Sequence, residues 1–79
     1  LINFLSTIDD IDVVVLFIEQ HKGQVKVSWR ATPAYDISQV AMQFGGGGHK
    51  AASGATIEGD LKEVQSKVIS TTKVILGVN

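Results

Sequence analysis

The 79-residue sequence predicts a small α/β (α+β) domain: a mixed β-sheet packed with helices, in the order α-β-β-α-β-α. Three observations carry this expectation. The run Ile11–Ile18 (Ile-Asp-Val-Val-Val-Leu-Phe-Ile) is dense in β-branched residues, as a buried strand requires. Val25, Val27 and Trp29 alternate with Lys26, Ser28 and Arg30, the period of a strand with one apolar and one polar face. Asp36 and Asp60 each precede an apolar stripe at helical spacing, with Gln39 or Glu63 three residues on, as in a capping box.

Taken in order, Leu1, Leu5 and Ile8, with Phe4, keep the i, i+3, i+4, i+7 spacing and predict the tail of a helix. Ile11–Ile18 then predicts a central strand buried on both faces. Glu19–Gln24, with Lys22-Gly23, reads as a hairpin turn, and the alternating strand follows. Ala31–Tyr35 is a loop around Pro33. A second helix begins at Asp36 and buries Ile37, Val40, Ala41 and Phe44, and the glycines after Phe44 end it. Ala55-Thr56-Ile57 predicts a short third strand. Asp60 caps the last helix, in which Leu61, Val64, Val68 and Ile75 keep roughly helical spacing. Its end, with Thr71, Thr72, Val74 and Ile75, has weaker helix propensity.

The length fits a single domain, residues 1–79. Leu1 is not an initiator methionine, so this domain is expected to be cut from a longer, two-domain protein. The chain has no cysteine, which excludes a disulfide framework and a thiolate metal site and fits a cytoplasmic location. No segment approaches the roughly 18 apolar residues of a membrane span. The net charge is −1, whereas a chain that holds polynucleotide by bulk charge is basic. Any nucleotide binding is therefore local, a few donors around one phosphate. That favours mononucleotides or very short oligomers over duplex DNA.

The candidate site centres on Gly45-Gly46-Gly47-Gly48-His49-Lys50-Ala51-Ala52-Ser53-Gly54. Four glycines leave the backbone bare to a ligand. An imidazole and an ammonium follow, as an anion-binding loop needs. The alternative is a flexible linker, although patterned apolar sequence flanks the run on both sides. The preceding helix points its negative end at the glycines and so repels phosphate. Binding would come from loop N–H groups, His49, Arg30 and a new helical turn near Lys50. Lys50 either touches phosphate or offsets that helix end.

Arg30 ends its strand on the polar face with Ser28 and Lys26, and a guanidinium can hold phosphate by two parallel hydrogen bonds. Its alternative is a solvated surface arginine, and Lys26 reads as one such solvated cation. His49 has three readings: a structural donor, a metal ligand or a phosphate ligand. Metal is the weakest, since no second ligand has suitable spacing. His21 reads as a solvated turn residue. Asp9, Asp10 and Asp12 read as a solvated turn rather than a metal cluster, and no catalytic residue is assigned in this chain. Trp29 belongs to the core, whereas Tyr35, in a loop, is a candidate to stack on a base.

Gly46-Gly47-Gly48-His49 with Lys50-Ala51-Ala52-Ser53-Gly54 resembles the signature of the DHHA1 domain, the C-terminal substrate-binding half of the DHH phosphoesterases. Val25-Lys26-Val27-Ser28-Trp29-Arg30-Ala31 is similar to that family's basic strand, with Trp29 in place of leucine and Ala31 in place of serine. The resemblance covers nearly the whole chain. Its Lys-Ala-Ala-Ser-Gly ending looks most like the bacterial oligoribonucleases that also dephosphorylate adenosine 3′,5′-bisphosphate.

The resemblance implies a substrate-binding domain in which Arg30 and His49 contact substrate phosphate; with the glycine loop read above, the expected phosphate site is Arg30, Gly45, Gly46, Gly47, Gly48, His49 and Lys50. It implies an N-terminal DHH partner domain that holds two Mn2+ ions, with no cofactor bound by this chain. The isolated chain is then inactive, and the parent is a metal-dependent phosphoesterase acting on short oligoribonucleotides and adenosine 3′,5′-bisphosphate. Two alternatives stand beside it. One is the same domain in a cyclic-di-AMP phosphodiesterase or single-strand exonuclease. The other is a non-catalytic regulatory or assembly domain whose glycines serve packing alone.

Overall fold

The structure, a computed structural model, describes residues 2–8 (as backbone), 12–21 and 23–77. Strands β1 (Ile2–Ile8), β2 (Val13–His21) and β3 (Gln24–Ala31) precede helix α1 (Ser38–Gln43). Strands β4 (Gly47–His49) and β5 (Ala52–Glu58) and helix α2 (Leu61–Leu76) follow. The strands form one sheet in the order β1-β2-β3-β5-β4. The expected fold class holds, a sheet packed with helices. Every pairing is antiparallel, however, so the sheet is not mixed.

Two elements differ from the sequence reading. The helix expected over Leu1–Ile8 is strand β1, whose residues Ile2–Ile8 pair with Glu19–Val13 of β2. An apolar segment this short does not by itself separate a helix from a strand, and pairing with β2 decides it. The second difference lies in the glycine run. Gly47–His49 pairs with Gly54–Ala52, so part of the expected loop is an edge strand, and β5 starts at Ala52 rather than Ala55.

The core lies on one face of the sheet. Val13, Val15, Phe17, Val25, Val27, Trp29 and Ala55 pack there against Ile37, just before α1, Val40 and Ala41 of α1, and Val64 and Val68 of α2. β2 is an interior strand, between β1 and β3, but the centre of the sheet is β3, and only one face of β2 is fully buried: Val14, Leu16 and Ile18 on the other are half-buried. Trp29 joins the two layers. Its indole N–H donates to Thr72 Oγ1 at 3.1 Å, and that hydroxyl donates to the Val68 carbonyl at 2.6 Å. Its ring also stacks on Phe44, with centroids 6.0 Å apart.

These contacts explain why α2 stays helical through its β-branched end. Val64, Val68 and Thr72 are the buried positions, and Ile75, expected in the stripe, is 38% exposed. Asp60 caps the helix as predicted, accepting from the N–H groups of Lys62 and Glu63. Hydrogen bonding from Glu63 holds the Asp60 carboxyl below its usual range, and Asp60 in turn pushes Glu63 up. At α1 the cap is displaced by one residue. Asp36 Oδ1 accepts from the Ser38 N–H at 3.1 Å and from the Ser38 hydroxyl, and the helix begins at Ser38. The Ser38 hydroxyl, more than the Lys50 charge, lowers the Asp36 pKa.

Candidate functional site

The face of the sheet opposite the helices carries three of the predicted site residues, Arg30, Gly47 and His49. Strand alternation puts Lys26, Ser28 and Arg30 of β3 on that face, opposite buried Val25, Val27 and Trp29. Arg30 pairs with Ala52 of β5, and Ala52 pairs with His49 of β4. Arg30, Ala52 and His49 thus form one cross-strand row, with Arg30 and His49 about 10 Å apart at Cα. The next row is Ser28, Gly54 and Gly47. Two exposed nitrogen-bearing side chains therefore flank a floor of Ala52, Gly54 and Gly47 that holds little more than backbone. A planar double donor and an imidazole across such a floor suit an anion the size of phosphate.

Each flank is held in place. Arg30 Nη1 donates to its neighbour's carbonyl, Trp29 O, at 2.9 Å, which draws the guanidinium over its own strand and leaves further donors free. Beside it, the Lys50-Ala51 turn joins β4 to β5. Its carbonyls accept from Ile37 N–H at 2.9 Å and Ala31 N–H at 3.0 Å, tying the hairpin to α1 and β3. Ser53, buried beneath β4, donates its hydroxyl to His49 O at 2.6 Å. Sequence reasoning put Ser28 on the face of Arg30 and Gly54 in the glycine run, but only the strand register brings them beside Gly47 and sets Ala52 between Arg30 and His49. That reasoning missed Ser53 as the anchor of His49.

The glycines divide by role. Gly45 (φ 77°) ends α1: its N–H donates to Met42 O and that of Gly46 to Ala41 O, the paired bonds of a Schellman cap. Those two N–H groups are thereby engaged. A Cβ on Gly46 would lie 2.1 Å from Gly54 O, and one on Gly48 (φ 143°) 2.7 Å from Ala52 O. Gly47 alone among the four has neither constraint, since a Cβ there meets nothing within 4 Å and its φ is ordinary. Packing explains three glycines and leaves Gly47 unexplained.

A model of the DHHA1 domain family matches residues 1–74. The chain belongs to the DHHA1 family. It is similar to the bifunctional oligoribonuclease and PAP phosphatase NrnA of Mycoplasma genitalium, 33% identical over 75 residues, which are 95% of this chain and 23% of that protein. The protein of the same name from Thermus thermophilus is 36% identical over 62 residues, covering 77% of this chain and 19% of its own length. That from Mycoplasma pneumoniae is 35% identical over 57 residues, covering 72% and 17%. The chain spans less than a quarter of the length of these relatives.

The other positions of this DHHA1 domain that the sequence singled out lie outside the row. Lys50 is exposed in the hairpin turn, where its charge acts on Asp36, and the helical turn expected there is absent. Tyr35 is half-buried and packs against the core. His21 is exposed at the end of β2, far in sequence and register from the glycines. Asp9 and Asp10 lie outside the described residues. Among the described residues no three His, Cys, Asp or Glu side chains are grouped to hold a metal ion. An open cleft at the other end of β5, lined by Ile57, Glu58, Gly59, Glu63, Val64 and Lys67, carries two carboxylates and suits an anion poorly. No helix of the described residues is long and apolar enough to cross a membrane.

Proposed function

We propose that this DHHA1 domain grips a phosphate of a nucleotide or short oligoribonucleotide and presents it to the catalytic centre of an N-terminal DHH domain in the same, longer protein. One observation carries the reading. The register places Arg30 and His49 in a single row on the open sheet face, over a floor in which Gly47 has no structural reason to be glycine. Arg30 supplies the two-pronged contact, His49 a second donor, and the edge strand at Gly47–Gly48 close backbone approach. Gly45 and Gly46 shape the approach by lacking side chains, and Lys50 contributes charge at its rim. Tyr35 is the candidate for base contact.

The relatives' printed name, bifunctional oligoribonuclease and PAP phosphatase, supports the substrate class: short RNA and adenosine 3′,5′-bisphosphate. The described residues of this chain do not fit a metal site. The Mn2+ pair implied by the family would sit in the DHH domain, where such a pair activates water. This chain's part is to bind and orient, in a cytoplasmic phosphoesterase. The packing-only alternative draws support from Gly45, Gly46 and Gly48, each of which the fold itself requires.

A few donors around one phosphate, without the partner domain, give a Kd on the order of 0.1–1 mM. Isothermal titration of the chain with adenosine 3′,5′-bisphosphate and with adenosine tests this. Binding of the bisphosphate alone is expected. Equal affinity for both contradicts a phosphate site.

A further inference from the structure

Beyond the row at Arg30, the same face continues along β3 with Ser28 and then Lys26, both on the side away from the core. Arg30 and Lys26 are four residues apart, about 13–14 Å along the strand. Their neighbours on β5 are Ala52 and Thr56, with Gly54 between them. No bulky side chain from β5 stands between the two cations. On the other side, β2 sets Val14 beside Arg30, Leu16 beside Ser28 and Ile18 beside Lys26. These three are half-buried and apolar. The face is thus divided lengthwise, cationic and polar over β3 and β5, apolar over β2. Glu58, opposite Gln24, closes the cationic side just past Lys26.

A single-stranded oligonucleotide has the same division: a line of phosphates on one side and a line of base faces on the other. Sequence-tolerant sites for it pair a positive groove with surfaces on which bases lie. We propose that the open face of β3 is a track for a short single-stranded oligonucleotide. On it, Lys26 holds a phosphate further along the strand from the one at Arg30, and the bases lie over Leu16 and Ile18. The inference rests on the phosphate reading of Arg30 and His49, and names Lys26 as the residue that separates oligonucleotides from mononucleotides. A single nucleotide held at Arg30 ends before Lys26, whereas an oligonucleotide continues over it. The net charge of −1 keeps the track short.

The test is a titration of the chain with 5′-phosphorylated tri-adenylate and, separately, with adenosine 3′,5′-bisphosphate. Both are followed by amide chemical shifts, in the wild type and in Lys26→Gln, Lys26→Glu and Arg30→Ala. Lys26 is exposed, so its variants leave the core untouched. Lys26→Gln is expected to weaken tri-adenylate by about two- to fivefold and to leave the bisphosphate unchanged. Lys26→Glu is expected to weaken tri-adenylate further. The slope of log K against log salt for tri-adenylate should fall by about 0.7 in Lys26→Gln, one single-strand phosphate contact. Arg30→Ala should weaken both ligands. If the Lys26 variants weaken both ligands alike, or neither, while Arg30→Ala weakens both, the track is wrong and the phosphate row stands. If Arg30→Ala affects neither ligand, the row fails and the track with it.

Discussion

Gly47→Ala separates function from packing more cleanly than any other change in the glycine run. A Cβ on Gly47 meets no heavy atom within 4 Å, and the backbone there does not need a positive φ. Replacing such a glycine lowers the entropy of the unfolded chain, a gain of about 0.4–1 kcal/mol. For a domain of this size that raises Tm by roughly 2–8 °C. The same methyl, however, projects onto the face shared by Ser28 and Gly54, beside the row of Arg30 and His49. On the proposed reading it occupies the place of closest phosphate approach. Binding of adenosine 3′,5′-bisphosphate should weaken at least about tenfold, a loss of about 1.4 kcal/mol. Gly46→Ala is the contrasting variant: its Cβ would lie 2.1 Å from Gly54 O and 2.6 Å from Ala55 Cβ, so backbone must move. Overpacking of that kind costs about 1–3 kcal/mol, and Tm falls. Calorimetric melting beside isothermal titration reads both effects. Full affinity in Gly47→Ala with an unchanged or raised Tm would refute the reasoning, leaving the glycines to helix capping and strand packing.

Three further outcomes follow from the geometry. Arg30→Ala should weaken bisphosphate binding by about 1.5–3 kcal/mol, roughly 10- to 150-fold. Arg30→Lys should recover only part of this, because an ammonium lacks the two-pronged contact; full recovery in titration would show that Arg30 supplies charge alone. Thr72→Val keeps the side-chain shape but leaves the buried Trp29 indole N–H without its acceptor, which costs about 1–3 kcal/mol in urea unfolding; an unchanged midpoint would mean that the bond contributes nothing. Asp60 has a folded pKa below its unfolded value, so its contribution is complete above the unfolded pKa and is lost as pH falls through the folded one. Glu63, raised by Asp60, works in the opposite sense and offsets part of that loss. Asp60→Asn keeps a capping oxygen, and its melting temperature should fall less than the wild type's below about pH 4; parallel acid profiles would contradict the assignment.

The sequence showed best what local chemistry decides. Asp60 with Glu63 announced α2, and the alternation through Val25–Arg30 announced β3 and its two faces. What escaped depends on partners distant in sequence. Phe4, Leu5 and Ile8 satisfy helical spacing, and only pairing with β2 makes Ile2–Ile8 a strand. Gly47 and Gly48 have no side chains, so no period marks them as β4; β5 alone defines it. Asp36 makes the local bond to the Ser38 N–H that its sequence position suggests, while the regular helix starts one residue later than expected. For the site, Arg30 and His49 were readable as residue types. Their meeting in one row was not, since it passes through Ala52 and requires the registers of two strand pairs.

The central claim is that phosphate is read on the face formed by Arg30, Ala52, His49 and Gly47. The most direct measurement is a map of 15N-labelled chain titrated with adenosine 3′,5′-bisphosphate and, in parallel, adenosine, including the arginine side-chain Nε–H signals. The account predicts saturable shifts at the Gly47, Gly48 and His49 amides and at Arg30 Nε–H with the bisphosphate, and none there with adenosine. Equal shifts from the two ligands, or bisphosphate shifts confined to the cleft at Glu58, Gly59 and Lys67, would contradict it.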